Sequence, residues 1–170
     1  MNAPAQLKEI TVQTVDFTLN DQAVTAFAGE SILNAAKRHG VDIPHLCHQE
    51  GLRPDGNCRA CVVEIAGERT LAPSCCRQVT AGMTVRSTSA RAVKSQQMVV
   101  EMLLSDMPDV GYKWREQDES QQHGELSAWA ARLNVAVRPA LKALRREQPR
   151  ADVSHPAMAV NLDACIQCNR

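Results

Sequence analysis

An α+β fold is predicted for this 170-residue chain: a small mixed sheet holding one helix, then a helical connector. Three observations predict it. Short β-type runs flank turn-forming residues in the first third of the chain. One apolar-faced helix follows, closed by a glycine. From residue 89 onward, apolar residues recur at helical rather than strand spacing. At ~100–200 residues per domain, the length allows one good-sized domain or two small ones.

Residues 15–27 (Val-Asp-Phe-Thr-Leu-Asn-Asp-Gln-Ala-Val-Thr-Ala-Phe) read as two strands joined at Asn20-Asp21. Gly29-Glu30-Ser31 can start a helix with Ile32, Leu33, Ala35 and Ala36 on one side. Gly40 stands where a C-terminal cap glycine belongs. From Val41 to Pro73 the chain is loop-rich, broken by the β-branched run Val62-Val63-Glu64-Ile65, and Met83–Ser87 follows the Ala81-Gly82 turn as a further strand. These elements account for a domain at 8–88. A helix is expected over 89–105, through Val93, Gln97, Val100, Met102, Leu103 and Leu104, with Met98 and Met102 as packing residues. A second helix is expected within 123–137, around Leu126, Trp129, Ala130 and Leu133, so that 89–137 forms a connector. Pro139, Pro149 and Pro156 mark 138–156 as a linker. The acid-rich run Asp106–Glu125 and the basic run Arg132–Arg150 read as solvated surface rather than docking sites.

Lys+Arg equals Asp+Glu at 19 each, and aromatics are 3% of the chain, so neither a basic surplus nor stacking platforms are available for nucleic acid. No window approaches the ~20 apolar residues of a membrane span, and the amino terminus lacks a signal-peptide core. A cytoplasmic protein without a membrane span is expected. Seven cysteines in a reducing compartment point to metal or redox chemistry rather than to a disulfide framework.

Cys47, Cys58, Cys61 and either Cys75 or Cys76 form the decisive constellation, with gaps of ten, two and thirteen or fourteen residues. Two cysteines two apart can aim both thiolates at one metal centre, and the surrounding Gly and Pro let the backbone curl so that N–H groups face sulfur. Zinc would accept the same ligand types, but zinc knuckles usually come as two close pairs, whereas here the first and last cysteines are singletons. Three ligands in one loop with a distant fourth is the plant-type [2Fe–2S] arrangement, although the reference pattern has four residues in its first gap. His45 and His48 flank Cys47, but no histidine lies near Cys58 and Cys61, which disfavours a Rieske site. Cys47-His48 lacks an orienting carboxylate for nucleophilic catalysis. Gly-x-Gly-x-x-Gly and P-loop motifs are absent. No catalytic residue and no nucleotide site are expected in this chain.

Ile43-Pro44-His45-Leu46-Cys47, Gly51–Ile65, Ser74-Cys75 and Gly82-Met83 closely resemble the amino-terminal [2Fe–2S] domain of three families. These are the large iron–sulfur subunit of respiratory complex I, the diaphorase subunits of NAD-reducing hydrogenases, and the alpha subunit of NAD-dependent formate dehydrogenases. The resemblance implies a β-grasp ferredoxin-like fold. It also selects Cys75, which follows a serine seven residues before the Gly-Met glycine, as fourth ligand beside Cys47, Cys58 and Cys61, leaving Cys76 a bystander. Residues 154–170 look like the entry to the twin [4Fe–4S] ferredoxin-like domain of formate dehydrogenase alpha subunits, with Cys165 and Cys168 as its first two ligands. The bacterial run Cys-x2-Cys-x2-Cys-x3-Cys-Pro is cut one residue before its third cysteine, so 157–170 reads as the truncated start of that domain and the chain as part of a longer subunit.

No cysteine lies between Cys76 and Cys165, so the His-x3-Cys-x2-Cys-x5-Cys motif of complex I and many relatives is missing. On that ground the resemblance implies the formate dehydrogenase branch, with complex I or hydrogenase diaphorase subunits as the alternative, and a zinc-stabilised interaction module as the rival of another class. In the longer parent the implied groups are a [4Fe–4S] cluster and a molybdenum or tungsten pterin. The implied partners are flavin/NAD-binding and small iron–sulfur subunits.

Overall fold

The computed structural model describes residues 13–108, 124–145, 147, 150–160, 162 and 165–168. Strands β1 (Thr14–Leu19) and β2 (Gln22–Phe27) pair antiparallel, from Thr14 opposite Phe27 to Leu19 opposite Gln22. Both turn residues, Asn20 and Asp21, are left-handed (φ 48° and 64°), as a two-residue hairpin turn that follows the strand twist requires. The Asn20 side chain carries a second duty: its Oδ1 accepts from the Ser87 N–H at 2.8 Å, which fastens the turn to the end of a distant strand.

Helix α1 (Ile32–Arg38) starts where Ser31 Oγ accepts from the Asn34 N–H at 3.2 Å, and it buries Ile32, Leu33, Ala35 and Ala36. Gly40, left-handed at φ 73°, ends it as the spacing predicts. Strands β3 (Val62–Ile65), β4 (Ala72–Pro73) and β5 (Thr84–Arg86) complete a mixed sheet of order β2-β1-β5-β3-β4, in which β1 and β5 are parallel and the other pairs antiparallel. Edge strand β4 had no signal of its own within the loop-rich stretch, and Pro73, which has no N–H to donate, is tolerated there because it is an edge. The buried face of α1 joins Phe17, Leu19, Val63, Ile65 and Val85 in the main core.

Helix α2 (Ala90–Ser105), capped by Ser89, lies where helical spacing places one, but its buried stripe is Ala92, Gln96 and Val100. Met98 and Met102, expected to pack, are exposed instead. Each lies two residues from Gln96 or Val100, a rotation of about 200° that carries it to the far side of the helix. Helix α3 (Glu125–Arg132) packs Leu126, Trp129 and Ala130 into a second apolar cluster with Val100, Leu46 and Ala60. The Arg132 guanidinium lies 4.2 Å over the Trp129 ring and pairs with Asp42, which ties α3 to the loop after α1.

Pro139 does not break the chain: it opens a short helix, α4 (Pro139–Lys142), at the one helical position where a missing N–H costs nothing. The stretch read as linker also carries β6 (Asp152–His155), which pairs with β7 (Met158–Val160) in a separate two-stranded ribbon. Part of the basic run folds back onto α2, although Arg138 stays largely exposed. Arg138 Nε and Nη2 reach the Glu101 carboxylate at 2.7 and 3.1 Å, Lys142 Nζ donates to the Met107 carbonyl at 2.8 Å, and Arg145 Nε to that of Asp106 at 3.1 Å. These cations meet α2 at its carboxyl end, where carbonyls lack helical partners and the helix dipole is negative. Most of the acid-rich run falls outside the described residues. Among the described residues, no helix is long and apolar enough to cross a membrane.

Candidate metal centre

The chain between α1 and β3 has no regular hydrogen-bond ladder, so its path is fixed by what it buries. Ile43 enters the main core and Leu46 the second cluster, which turns the intervening backbone inward and leaves Cys47 buried. Further along, Arg59 adopts φ 58°, a left-handed conformation uncommon for a residue with a side chain, and this tight turn brings Cys58 and Cys61 to the same side of the loop. Cys61 directly precedes β3 and Cys75 closely follows the Ala72–Pro73 strand, so pairing of Val62 with Pro73 brings these two cysteines together.

The four expected ligands gather as two couples. Cys58 lies beside Cys47 and Cys61 beside Cys75, near enough for each thiol to shift the acidity of its neighbour. Burial pushes the Cys58 thiol up, opposed by N–H groups of Ala60, Cys47 and Leu46 that favour its thiolate. The Cys61 thiol is pulled down to about 6, chiefly by its hydrogen bond with Cys75 and further by the Cys75 N–H and the Ser74 hydroxyl. Cys75 is pushed up by the same Cys61 contact and then by burial. Each couple thus has close sulfurs, little water and backbone donors directed at sulfur.

This donor set suits a two-iron cluster, in which each iron takes two cysteine thiolates and N–H donors offset the charge on sulfur. Zinc accepts the same thiolate donors. Among the described residues, no group of three or more His, Cys, Asp or Glu side chains stands close enough together to hold one ion. His45 is engaged elsewhere, with Nδ1 2.8 Å from the Ile43 carbonyl and its ring 6.0 Å from that of Trp129.

Cys76 is exposed, its sulfur 3.5 Å from that of Cys75. Gly56 passes beneath it at φ 65°, and a Cβ there would lie 2.9 Å from the Cys76 sulfur. Cys165 is exposed and Cys168 half-buried. Between them Gln167 is left-handed (φ 53°) and its N–H lies 3.4 Å from the Cys165 sulfur, while Ile166 packs against the second apolar cluster. Three contributors escaped the sequence reading. Ser74 served there only as a motif marker, yet its amide and hydroxyl both bond to Cys61. Gly56 was one of several loop glycines. Gln96, from α2, donates to the Val62 carbonyl at 2.9 Å, and its signal was an amide spaced four residues from both Ala92 and Val100.

Residues 12–90 match a family described as the 2Fe-2S iron-sulfur cluster binding domain. The NADP-reducing hydrogenase subunit HndD of Solidesulfovibrio fructosivorans is 34% identical over 158 residues, covering 90% of this chain and 26% of that protein. An NADH-quinone oxidoreductase subunit of Rhizobium meliloti is 29% identical, covering 92% of this chain and 18% of its own length. The 78 kDa subunit of NADH-ubiquinone oxidoreductase from Candida albicans is 31% identical, with 92% and 21% covered. The chain therefore spans about a quarter or less of these relatives. An NAD+-reducing [NiFe]-hydrogenase crystal structure superposes with a TM-score of 0.74 at 27% identity, covering 91% of this chain and 63% of that one. These relatives fit the complex I and hydrogenase reading better than the formate dehydrogenase reading. Residues 12–90 thus match the 2Fe-2S iron-sulfur cluster binding domain, and most of the chain is similar to subunits of NADH-quinone oxidoreductase and of NAD(P)-reducing hydrogenases.

Proposed function

We propose that Cys47, Cys58, Cys61 and Cys75 hold the [2Fe–2S] cluster, with Cys47 and Cys58 on one iron and Cys61 and Cys75 on the other. The observation that supports this is the pairing of the four thiols in two couples, Cys47 with Cys58 and, beside the β3–β4 edge, Cys61 with Cys75. A [2Fe–2S] cluster held by these four thiolates would supply one-electron transfer. The chain binds it through thiolates, stabilises sulfur charge with the N–H groups of Ala60, Cys47 and Leu46, and excludes water by burying Cys47, Cys61 and Cys75. Cys76, on the open side, is not a ligand. Cys165 and Cys168 supply two thiolates toward a [4Fe–4S] site.

The chain serves as an electron-transfer iron–sulfur module of a cytoplasmic oxidoreductase, relaying single electrons to or from a flavin/NAD-binding partner, in a complex that also holds a small iron–sulfur subunit. A hydrogenase- or complex I-type parent has the support of the relatives' names. A formate dehydrogenase parent, with a molybdenum or tungsten pterin centre outside this chain, keeps one observation of its own: no cysteine occurs from 77 to 164, where the His/Cys cluster motif of complex I and many relatives belongs.

Metal and sulfide analysis of anaerobically purified chain tests the cluster. Two irons and two acid-labile sulfides, with a spin-half EPR signal appearing only after dithionite, are expected; a colourless protein with stoichiometric zinc overturns the reading. Cys75→Ser abolishes the signal and Cys76→Ser preserves it, and the reverse reassigns the fourth ligand. NAD reduction by the whole complex, with formate or with hydrogen as donor, separates the two parents.

A further inference from the structure

Arg59 stands between Cys58 and Cys61 with its backbone left-handed (φ 58°) and its side chain exposed. That backbone region penalises a residue carrying a Cβ and leaves glycine unstrained, so the turn by itself asks for glycine. Gly56, three residues earlier, meets the same demand at φ 65° with the expected residue. An arginine at such a position points to work for its side chain. That work is not done inside the fold: among the described residues, no hydrogen bond or ion pair engages the Arg59 guanidinium. The other charges of the loop cancel locally. Glu50 lies 3.5 Å from Lys37, and Asp55 3.3 Å from Arg53. Arg77, next to Cys76, is engaged with Glu68. Burial divides the loop as well: Leu46 and Ala60 are sealed by α2 and α3, whereas Leu52, Arg53, Asn57 and Arg59 are exposed.

We propose that Arg59 is a docking cation for the redox partner: its guanidinium pairs with a carboxylate on the surface of the protein that exchanges electrons with the centre. The partner's surface is thereby held next to Cys58 and two residues from Cys61. The inference rests on the ligand assignment and the electron-transfer role proposed above. A planar guanidinium takes a carboxylate in a bidentate pair, which fixes orientation as well as distance. An exposed cation at a contact acts chiefly on the rate of encounter and on its dependence on salt.

The test is stopped-flow oxidation of the reduced, cluster-loaded chain by two one-electron oxidants of opposite charge. Hexacyanoferrate(III) stands in for the carboxylate face and hexaammineruthenium(III) for its opposite; in each case the centre loses one electron and the oxidant gains it. Loss of one unit charge at contact with a trivalent anion is expected to make Arg59→Gln about tenfold slower with hexacyanoferrate(III) at about 0.01 M salt, and about threefold slower at about 0.15 M. With hexaammineruthenium(III) the same variant reacts faster than wild type. Arg59→Lys, which keeps the charge, keeps the wild-type salt dependence. Arg59→Gly matches Arg59→Gln in rate and melts no lower than wild type, because the strained backbone is relieved. Equal hexacyanoferrate(III) rates in wild type and Arg59→Gln at low salt overturn the proposal, as does a slowing fully accounted for by a shifted midpoint potential. An Arg59→Gly that melts below wild type assigns the side chain to the fold and overturns it as well. A wild-type chain without iron and sulfide would instead refute the ligand assignment, so the two failures are distinguishable.

Discussion

Gln96 tests whether the connector helix holds the exit of the cysteine loop in place. Strand β5 ends at Arg86, the partner of Glu64, so the carbonyls of Val62 and Ser87 lie beyond the last ladder pair. Gln96 Nε2 donates to both, at 2.9 and 3.3 Å, from a side chain only 2% exposed. Gln96→Leu keeps the volume nearly constant and removes the donor. A lost hydrogen bond costs about 0.5–1.5 kcal/mol net, and a buried carbonyl left without a partner about 1–3 kcal/mol. Weighting the longer bond less, the sum is about 2–4 kcal/mol. With a urea slope of about 2 kcal/mol per molar, the midpoint of unfolding falls by roughly 1–2 M. Gln96→Glu should be at least as damaging at neutral pH, since a carboxylate would face two carbonyl oxygens. Urea titration by far-UV circular dichroism and by the visible absorption of the loaded chain measures both variants. A Gln96→Leu loss below about 0.5 kcal/mol would show that another donor serves these carbonyls and that α2 does not brace the loop.

Three further outcomes are expected. Trp129→Ala, which empties the centre of the second cluster beneath Leu46, costs about 3–5 kcal/mol and speeds bleaching of the cluster; an unchanged bleaching rate would detach α3 from the metal centre. The Arg138 side chain and its N–H hold the Glu101 carboxyl below the usual carboxylate range. Its stabilising contribution is therefore complete above the unfolded value of about 4.3 and disappears as pH falls through the lower folded value. Arg138→Gln should move acid unfolding to higher pH, and superimposable acid limbs would contradict this. Gly56→Ala forces a Cβ into a left-handed backbone and against the Cys76 sulfur, a cost of about 1–2 kcal/mol from the backbone alone. Adding Cys76→Ala should recover the steric part only, read from melting temperatures of the single and double variants.

Local chemistry made much of the fold legible in the sequence. Asn20-Asp21 announced the hairpin, Ser31 and Gly40 bounded α1, and the β-branched run Val62–Ile65 is β3. The cysteines were legible because spacing alone limits what they can ligate. What escaped depends on contacts between distant segments. A two-residue edge strand containing proline has no periodicity to detect. Met98 and Met102 were misplaced because the apolar recurrence was read through Val93 and Gln97, one residue away from the buried stripe of Ala92, Gln96 and Val100. The contacts that Arg138, Lys142 and Arg145 make with the end of α2 and the residues after it depend on where the chain folds back, and charge runs carry no such information. Ser74 acts through hydrogen bonds to a residue thirteen positions earlier, and nothing in its neighbourhood marks that partner.

The second apolar cluster has a practical consequence for protein engineers. Leu46 and Ala60, from the cysteine loop, are sealed by Val100, Leu126, Trp129 and Ala130, all downstream of residue 88. Excising residues 8–88 as a minimal ferredoxin would strip that lid, wet the loop and leave a sticky, oxygen-sensitive stump. A soluble, durable miniature should run at least through Leu133.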